Sequence, residues 1–331
     1  MMNESYELVR NKVAFLDIHD DGRFFVSGPD AESALNQLLS IDLEVLPFWR
    51  GTIGLFLTEM ANIIAIATIF KSDEGFYIFT EAASADELGR YLAHEIPMHG
   101  AIFEDLRHSH TLFSVLGPHA QNLMSKIVGD DILGLPYLSF ENNERLGAPL
   151  FRMGFCGEFE YRLLIAKDSS ESVSNLALKA GAEFGMTQIS PDIMPILMLE
   201  MRSLTKLDFP AKANPIEAGL HWAVSFRKEN LRGGSILHQV KRAPKWQSLM
   251  LRIEQRGVAS TGDRLHIEGV EVGFLSHVVY SPTLQSDIGL AYVNPEFSQV
   301  GVVFDAIGSQ GESHAVGVSA PLFITNTVLA A

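Results

Sequence analysis

Val26-Ser27-Gly28-Pro29-Asp30-Ala31 and Val115-Leu116-Gly117-Pro118-His119-Ala120 share one construction. Each closes an apolar, strand-like run, turns through Gly-Pro, and opens a segment with helical spacing. Proline suits a helix start because its φ is preset and it has no N–H to leave unpaired. Ahead of the first unit, residues 13–18 and 23–27 read as strands around the polar turn His19-Asp20-Asp21-Gly22. After it, Ala34, Leu35, Leu38 and Leu39 fall on one face of a helix over 31–39. The second unit runs from a strand over 112–116 into a helix ending near residue 128. Two such units predict a pseudo-repeat of two α+β halves; a chance pair of similar turns is the alternative.

Between the units, residues 55–58, 62–70 and 75–80 read as an antiparallel meander, with Lys71-Ser72-Asp73-Glu74 as a hairpin turn. The most apolar run, 53–70, is broken by Glu59 and Asn62 and reads as two buried strands, not a membrane span. A helix is expected over 83–93 and a strand over 101–106. Paired strands over 150–155 and 159–166 flank Cys156-Gly157-Glu158. Helices follow over 169–184 and 191–204, the second capped by Ser190. Its Met194, Leu197, Met198 and Met201 read as core, and Glu200 among them needs a partner if buried. Asn214-Pro215-Ile216-Glu217 has the pattern of a helix start, with Glu217 expected to hold local backbone donors. After Ala243-Pro244-Lys245 the chain becomes all-β, with strands over 247–253, 264–267, 270–280, 287–293, 300–306 and 314–319. That pattern predicts a small barrel or sandwich.

The 331 residues exceed what one compact core accommodates, so two or three domains are expected. Hydrophobic residues make up 47% and charged residues 20%, an ordinary globular balance. Forty acidic against 25 basic residues give a net charge of −15, which repels nucleic acid and anionic membranes. The one cysteine, Cys156, excludes an internal disulfide and a four-thiolate metal site, and fits a cytoplasmic protein. The N-terminus shows no apolar signal segment. His108 and His110 have no carboxylate or cysteine nearby to complete a metal set, so no metal is expected.

With these segments in place the chain resembles the folate-binding aminomethyltransferases: the T-protein of the glycine cleavage system and its tetrahydrofolate-dependent demethylase relatives. The resemblance rests on Val26 to Glu32, Gly154-Phe155-Cys156-Gly157-Glu158, Met198-Leu199-Glu200, Pro215-Ile216-Glu217-Ala218-Gly219-Leu220, Gly262-Asp263, Val272-Gly273 and Tyr280-Ser281-Pro282. It implies an α+β fold of three domains in a cloverleaf around a central funnel. The expected division is 1–48 with 141–244 for the first α+β domain, 49–140 for the second, and 245–331 for a C-terminal β-barrel.

The resemblance implies a pterin-binding acid on the strand after Gly157-Glu158. With a turn two residues shorter than the family form, Phe159 matches the family's aromatic and Glu160 its acid. A carboxylate there can accept hydrogen bonds from the 2-amino and N3 groups of a pterin. Without the shortening Arg162 takes that place, and Glu160 reads as a solvent-facing strand residue. Ile78 and Trp222 are implied as further cofactor contacts, the latter lining the funnel. Where the family carries Gly-Gly-x-x-Asp-Asp, this chain has Ala61-Asn62-Ile63-Ile64-Ala65-Ile66, so Ala65 replaces the expected aspartate and no catalytic residue is assigned. The folate arginine before Glu200 is Met194 here, and the asparagine after the 75–79 strand is Thr80. Arg227, with Lys228 and Arg232, is then the candidate for the folate glutamate tail.

These features imply a tetrahydrofolate-dependent one-carbon transferase or demethylase with a small-molecule methyl donor; a lipoyl carrier protein is not expected. The alternatives are a folate-binding protein without transfer activity and a fold serving folate-independent chemistry. Against an iron–sulfur assembly role, Arg227 to Gly234 lacks the cysteine of that branch's motif.

Overall fold

The computed structural model describes residues 2–318. Two sheets and a barrel carry the chain. Strands Thr187–Ile189, Ala14–Asp17, His110–Leu116, Glu160–Ala166, Ala148–Arg152 and Ser139–Asn143 form a six-stranded sheet in that order. Strands Gly51–Leu57, Ile63–Lys71, Gly75–Thr80, Gly22–Ser27 and Ile102–Asp105 form a five-stranded sheet. All pairings in both are antiparallel except Thr187–Ile189 beside Ala14–Asp17. Six strands from Gln247–Ile253 to Gly311–Val318 close into a barrel, so the sheet has no open edge. The architecture is the expected α+β with a C-terminal barrel. Ser319, the end of the last expected strand, lies outside the described residues.

The repeat is present in the backbone. Ala31 N donates to Gly28 O at 3.1 Å, and Ala120 N to Gly117 O at 3.0 Å. The helices begin at Ala31 and Ala120, so each proline sits in the turn just ahead of its helix. Gly117 has φ +136, and a Cβ there would stand 2.5 Å from Lys12 O; the turn requires glycine. Each unit serves a different sheet. Helices Ala31–Leu38 and Ala82–Met98 cover the outer face of the five-stranded sheet. Helices Ala120–Val128 and Lys167–Gly181 cover that of the six-stranded one. The inner faces pack on each other through Phe70, Phe79, Phe140 and Phe151, with Phe79 and Phe151 centroids 4.8 Å apart.

Sheet membership divides the chain elsewhere than at 48/49 and 140/141. Strand Gly22–Ser27 belongs to the five-stranded sheet, and His110–Leu116 to the six-stranded one. Because the sheets lie face to face, the short turn at His19-Asp20-Asp21 is enough to carry the chain from one to the other. A helix over Met2–Asn11, unread in its polar sequence, buries Tyr6 and Val9 against the inner core.

The expected helix over 191–204 is shorter. A single 3-10 turn, Pro191–Ile193, leads into Met194–Glu200. It stops because Arg202 N donates to Leu199 O and Ser203 N to Met198 O, both at 2.9 Å, with Arg202 at φ 53. This paired closure normally takes glycine, and a side chain there costs about 1 kcal/mol. The expected helix at Asn214 is also a single closed turn. Asn214 Oδ1 caps Ile216 N and Glu217 N, and Leu220 N returns to Pro215 O at 2.8 Å. Glu217 accepts from Lys245 N at 2.8 Å and Trp246 N at 3.1 Å, which ties the turn to the barrel's entry.

Candidate functional site

A cavity of about 380 Å³ lies where the inner faces of the two sheets meet the segment from Pro191 to Trp222. That size suits a small organic ligand. Its polar floor comes from strand Glu160–Ala166. Alternation along the strand puts Glu160 and Arg162 on the same face, and both line the cavity.

Glu160 is 2% exposed. Its Oε1 accepts from Ser114 Oγ at 3.0 Å and Arg162 Nε at 2.8 Å. Its Oε2 is buried and has no hydrogen-bond partner among the described residues. Gly154 makes this possible: a Cβ there would stand 2.7 Å from Glu160 Cβ. Arg162 continues to Asp21, Nη1 to Oδ2 at 3.3 Å. Burial, and the charges of Glu81 and Glu160, push the Asp21 carboxyl up to about 6 against the pull of Arg162. Burial also raises Glu81, whose carboxylate accepts from Ser84 Oγ, Lys206 N and Thr80 Oγ1. Both acids line the cavity. Buried acids of raised pKa in a cleft mark a functional-site candidate.

Trp222 lines the cavity and is 60% exposed, so it stands at the rim. Phe159 does not join the site. As Glu160's neighbour it faces the other side of the strand, packed in the outer core with Arg152 5.3 Å over its ring. Ile78 is likewise turned away, into the core beneath Ala31–Leu38, and Phe79 lines the cavity in its stead. Ala65 is also outside the cavity wall. It is buried under the helices of the five-stranded sheet, and the cavity wall at that strand is Ile66, Ala67 and Thr68.

The expected tail cations lie elsewhere. Arg227 sits in a surface recess with Asp42 and Lys228. Lys228 Nζ donates to Leu39 O and Ile41 O, both at 2.8 Å, and burial lowers its pKa to about 8. Arg232 pairs with Glu95 at 2.8 Å and Glu59 at 3.1 Å. Glu200 has the partners its burial demands: Tyr6 Oη, Arg10 Nη2 and Ser281 Oγ. Cys156 is inert, its thiol pushed up to about 12 chiefly by burial. Among the described residues no cluster of three His, Cys, Asp or Glu side chains could hold a metal ion, and no helix is long and apolar enough to cross a membrane.

Sequence reasoning missed Ser114, Asp21, Glu81 and Arg202. Only Arg162 carried a usable signal, two residues from Glu160 on one strand.

Residues 1–228 match the GCVT N-terminal domain family, and residues 247–324 the glycine cleavage T-protein C-terminal barrel domain. An aminomethyltransferase of Flavobacterium psychrophilum is 24% identical over 305 residues, 90% of this chain and 84% of that protein. One from Geobacillus thermodenitrificans is 26% identical over 306 residues, 91% and 84% of the two. The crystal structure of glycine cleavage system aminomethyltransferase T from Bartonella henselae superposes with a TM-score of 0.87 at 18% identity, covering 98% of this chain and 90% of that one. In fold and in sequence, this chain belongs to the glycine cleavage T-protein family.

Proposed function

We propose that the cavity binds the pterin of tetrahydrofolate at Glu160, and that the chain moves a one-carbon unit, as methyl, to it from a free small-molecule donor. The observation that carries this reading is the buried, unpartnered Oε2 of Glu160 in a ligand-sized cavity. An acceptor left unsatisfied in a protein interior costs about 1–3 kcal/mol. A pterin edge, with two adjacent N–H donors, is the ligand chemistry that removes that penalty. Ser114 and Arg162 hold the other oxygen, so the carboxylate is oriented before ligand arrives.

Bound tetrahydrofolate supplies N5 as the nucleophile for the one-carbon unit. The protein's part is to place that nitrogen against the donor and to exclude water. Apolar wall residues Ile53, Ile66, Phe79, Met153 and Met198 do the second. The family's acid pair is Ala65-Ile66 here, and the member of that pair that faces the cavity, Ile66, neither accepts a proton nor stabilises a cation. That supports a methyl transfer or demethylation outside glycine cleavage, with no lipoyl carrier. A buried, unpaired Cys156 is compatible with a cytoplasmic setting.

Calorimetric titration with tetrahydrofolate tests the first half; Glu160→Gln is expected to weaken binding at least tenfold, and unchanged affinity sinks the assignment. Incubation with tetrahydrofolate and a panel of N-, O- and S-methyl donors tests the second, read as 5-methyltetrahydrofolate. Binding without any such product leaves a folate-binding protein that does not transfer.

A further inference from the structure

Arg202 holds a position where a side chain is disfavoured. The closed turn at the end of helix Met194–Glu200 demands a left-handed residue, and Arg202 supplies it at φ 53. Glycine meets that demand without the Cβ clash. Strain of this kind persists where something else requires the residue. Packing does not require it: among the described residues no carboxylate, carbonyl or ring partners the guanidinium. Burial draws its pKa down, with no charged neighbour contributing.

Its surroundings are those of a site. Arg202 lines the cavity with Leu207 and Trp222, two large apolar side chains 56% and 60% exposed at the rim. Its Nη2 lies within van der Waals range, 3.8 Å, of where a Cβ on Gly219 would stand, which places the guanidinium beside the turn that ends at Leu220. The cavity's other arginine, Arg162, is occupied by Glu160 and Asp21. Met194 lines the same cavity without a charge to offer. Arg202 is therefore a cation with fork geometry, partly desolvated and unused, beside apolar walls. A carboxylate on an otherwise apolar or aromatic ligand is its complement.

We propose that Arg202 is a carboxylate-binding residue at the mouth of the cavity, taking the carboxylate either of a folate's glutamyl tail or of the one-carbon donor. The assignment deepens the folate reading and rests on it for the identity of the site, and its test uses probes without a pterin.

The test is calorimetric titration of the full chain with 4-aminobenzoylglutamate, with glycine betaine, and with neutral 4-aminobenzamide. Arg202→Gly is expected to weaken binding of a carboxylate probe roughly ten- to hundredfold, the range of a lost charge-assisted bond. It leaves the benzamide unchanged, and Arg202→Lys retains part of the affinity. Loss confined to 4-aminobenzoylglutamate assigns the folate tail; loss confined to betaine assigns the donor. Arg202→Gly is also expected to raise the thermal midpoint, which a residue kept for the fold would not do. The proposal is overturned if wild type prefers neither carboxylate probe to the benzamide, or if Arg202→Gly binds both as wild type does. Glu160→Gln separates the two readings: it should weaken tetrahydrofolate and leave the aminobenzoylglutamate response to Arg202 intact.

Discussion

Glu160 and Glu200 are buried almost equally, at 2% and 0% exposure, and differ in what is left over. Glu200 sits where helix Met2–Asn11, helix Met194–Glu200 and the barrel meet. Tyr6 Oη reaches both of its oxygens, Arg10 takes Oε2 and Ser281 takes Oε1. Nothing on it is spare, and its role is to join three parts of the chain. Glu160 sits on the floor of a cavity with one oxygen held and the other without a partner. Burial alone does not distinguish a structural acid from a binding one. The distinction lies in the unsatisfied capacity and in whether open space faces it.

The largest effect that tests this contrast is on Glu200. Glu200→Gln disturbs three buried donors at once, Tyr6 Oη, Arg10 Nη2 and Ser281 Oγ, and about 3–5 kcal/mol of stability should be lost even though Arg10 keeps Glu158. Denaturant unfolding measures it, and a loss under 1 kcal/mol would break the contrast from the structural side. Glu160→Gln should do the reverse. Tetrahydrofolate affinity falls ten- to hundredfold, about 1.4–2.8 kcal/mol, while stability changes by about 1 kcal/mol or less, since Arg162 keeps Asp21.

Asp21 sharpens the picture through pH. Its carboxyl is raised to about 6 in the folded chain, so the native state binds more protons than the unfolded one between about pH 4 and 6. Stability from this group is therefore greatest at low pH and declines as pH rises through 6. Asp21→Asn should stabilise the protein by about 2 kcal/mol at pH 7.5 and by much less at pH 4.5. Equal gains at both pH values would mean that its proton is not held by the cavity. The smallest effect is at Glu217, where Glu217→Gln weakens one clamp on Lys245 N and Trp246 N. A loss of about 1 kcal/mol is expected, with tetrahydrofolate affinity unchanged.

Much of the fold was legible. The two Gly-Pro turns, the meander over 55–80 and the change to all-β after Ala243 each follow from local chemistry, and all appear in the structure. The site was legible only in part. Glu160 and Trp222 stand in the cavity; Phe159, Ile78 and Arg227 do not. Phe159 and Ile78 fail for a reason already present in the sequence. Adjacent strand residues point to opposite sides, and here Phe159 and Ile78 fall on the sides that pack in the outer cores while Glu160 and Phe79 fall on the cavity side. Arg227 fails for a reason the sequence does not contain, since which surface a basic turn meets is set by the packing of distant segments.

The sequence by itself determined the two Gly-Pro turns and the barrel, which depend on residue type and on spacings of two to four residues that local geometry converts directly into faces and turns. The acid expected at Ala65-Ile66 and the carboxylate on the strand after Gly157 came into view only through the family resemblance. Only the tertiary structure decided which carboxylate is spent and which is open, and that Ile66 rather than Ala65 meets the cavity. It alone showed that Arg202 takes a glycine's conformation beside an unfilled space. Those facts depend on what comes to lie opposite each side chain, and among the partners Ser114 is 46 residues from Glu160 and Tyr6 is 194 from Glu200.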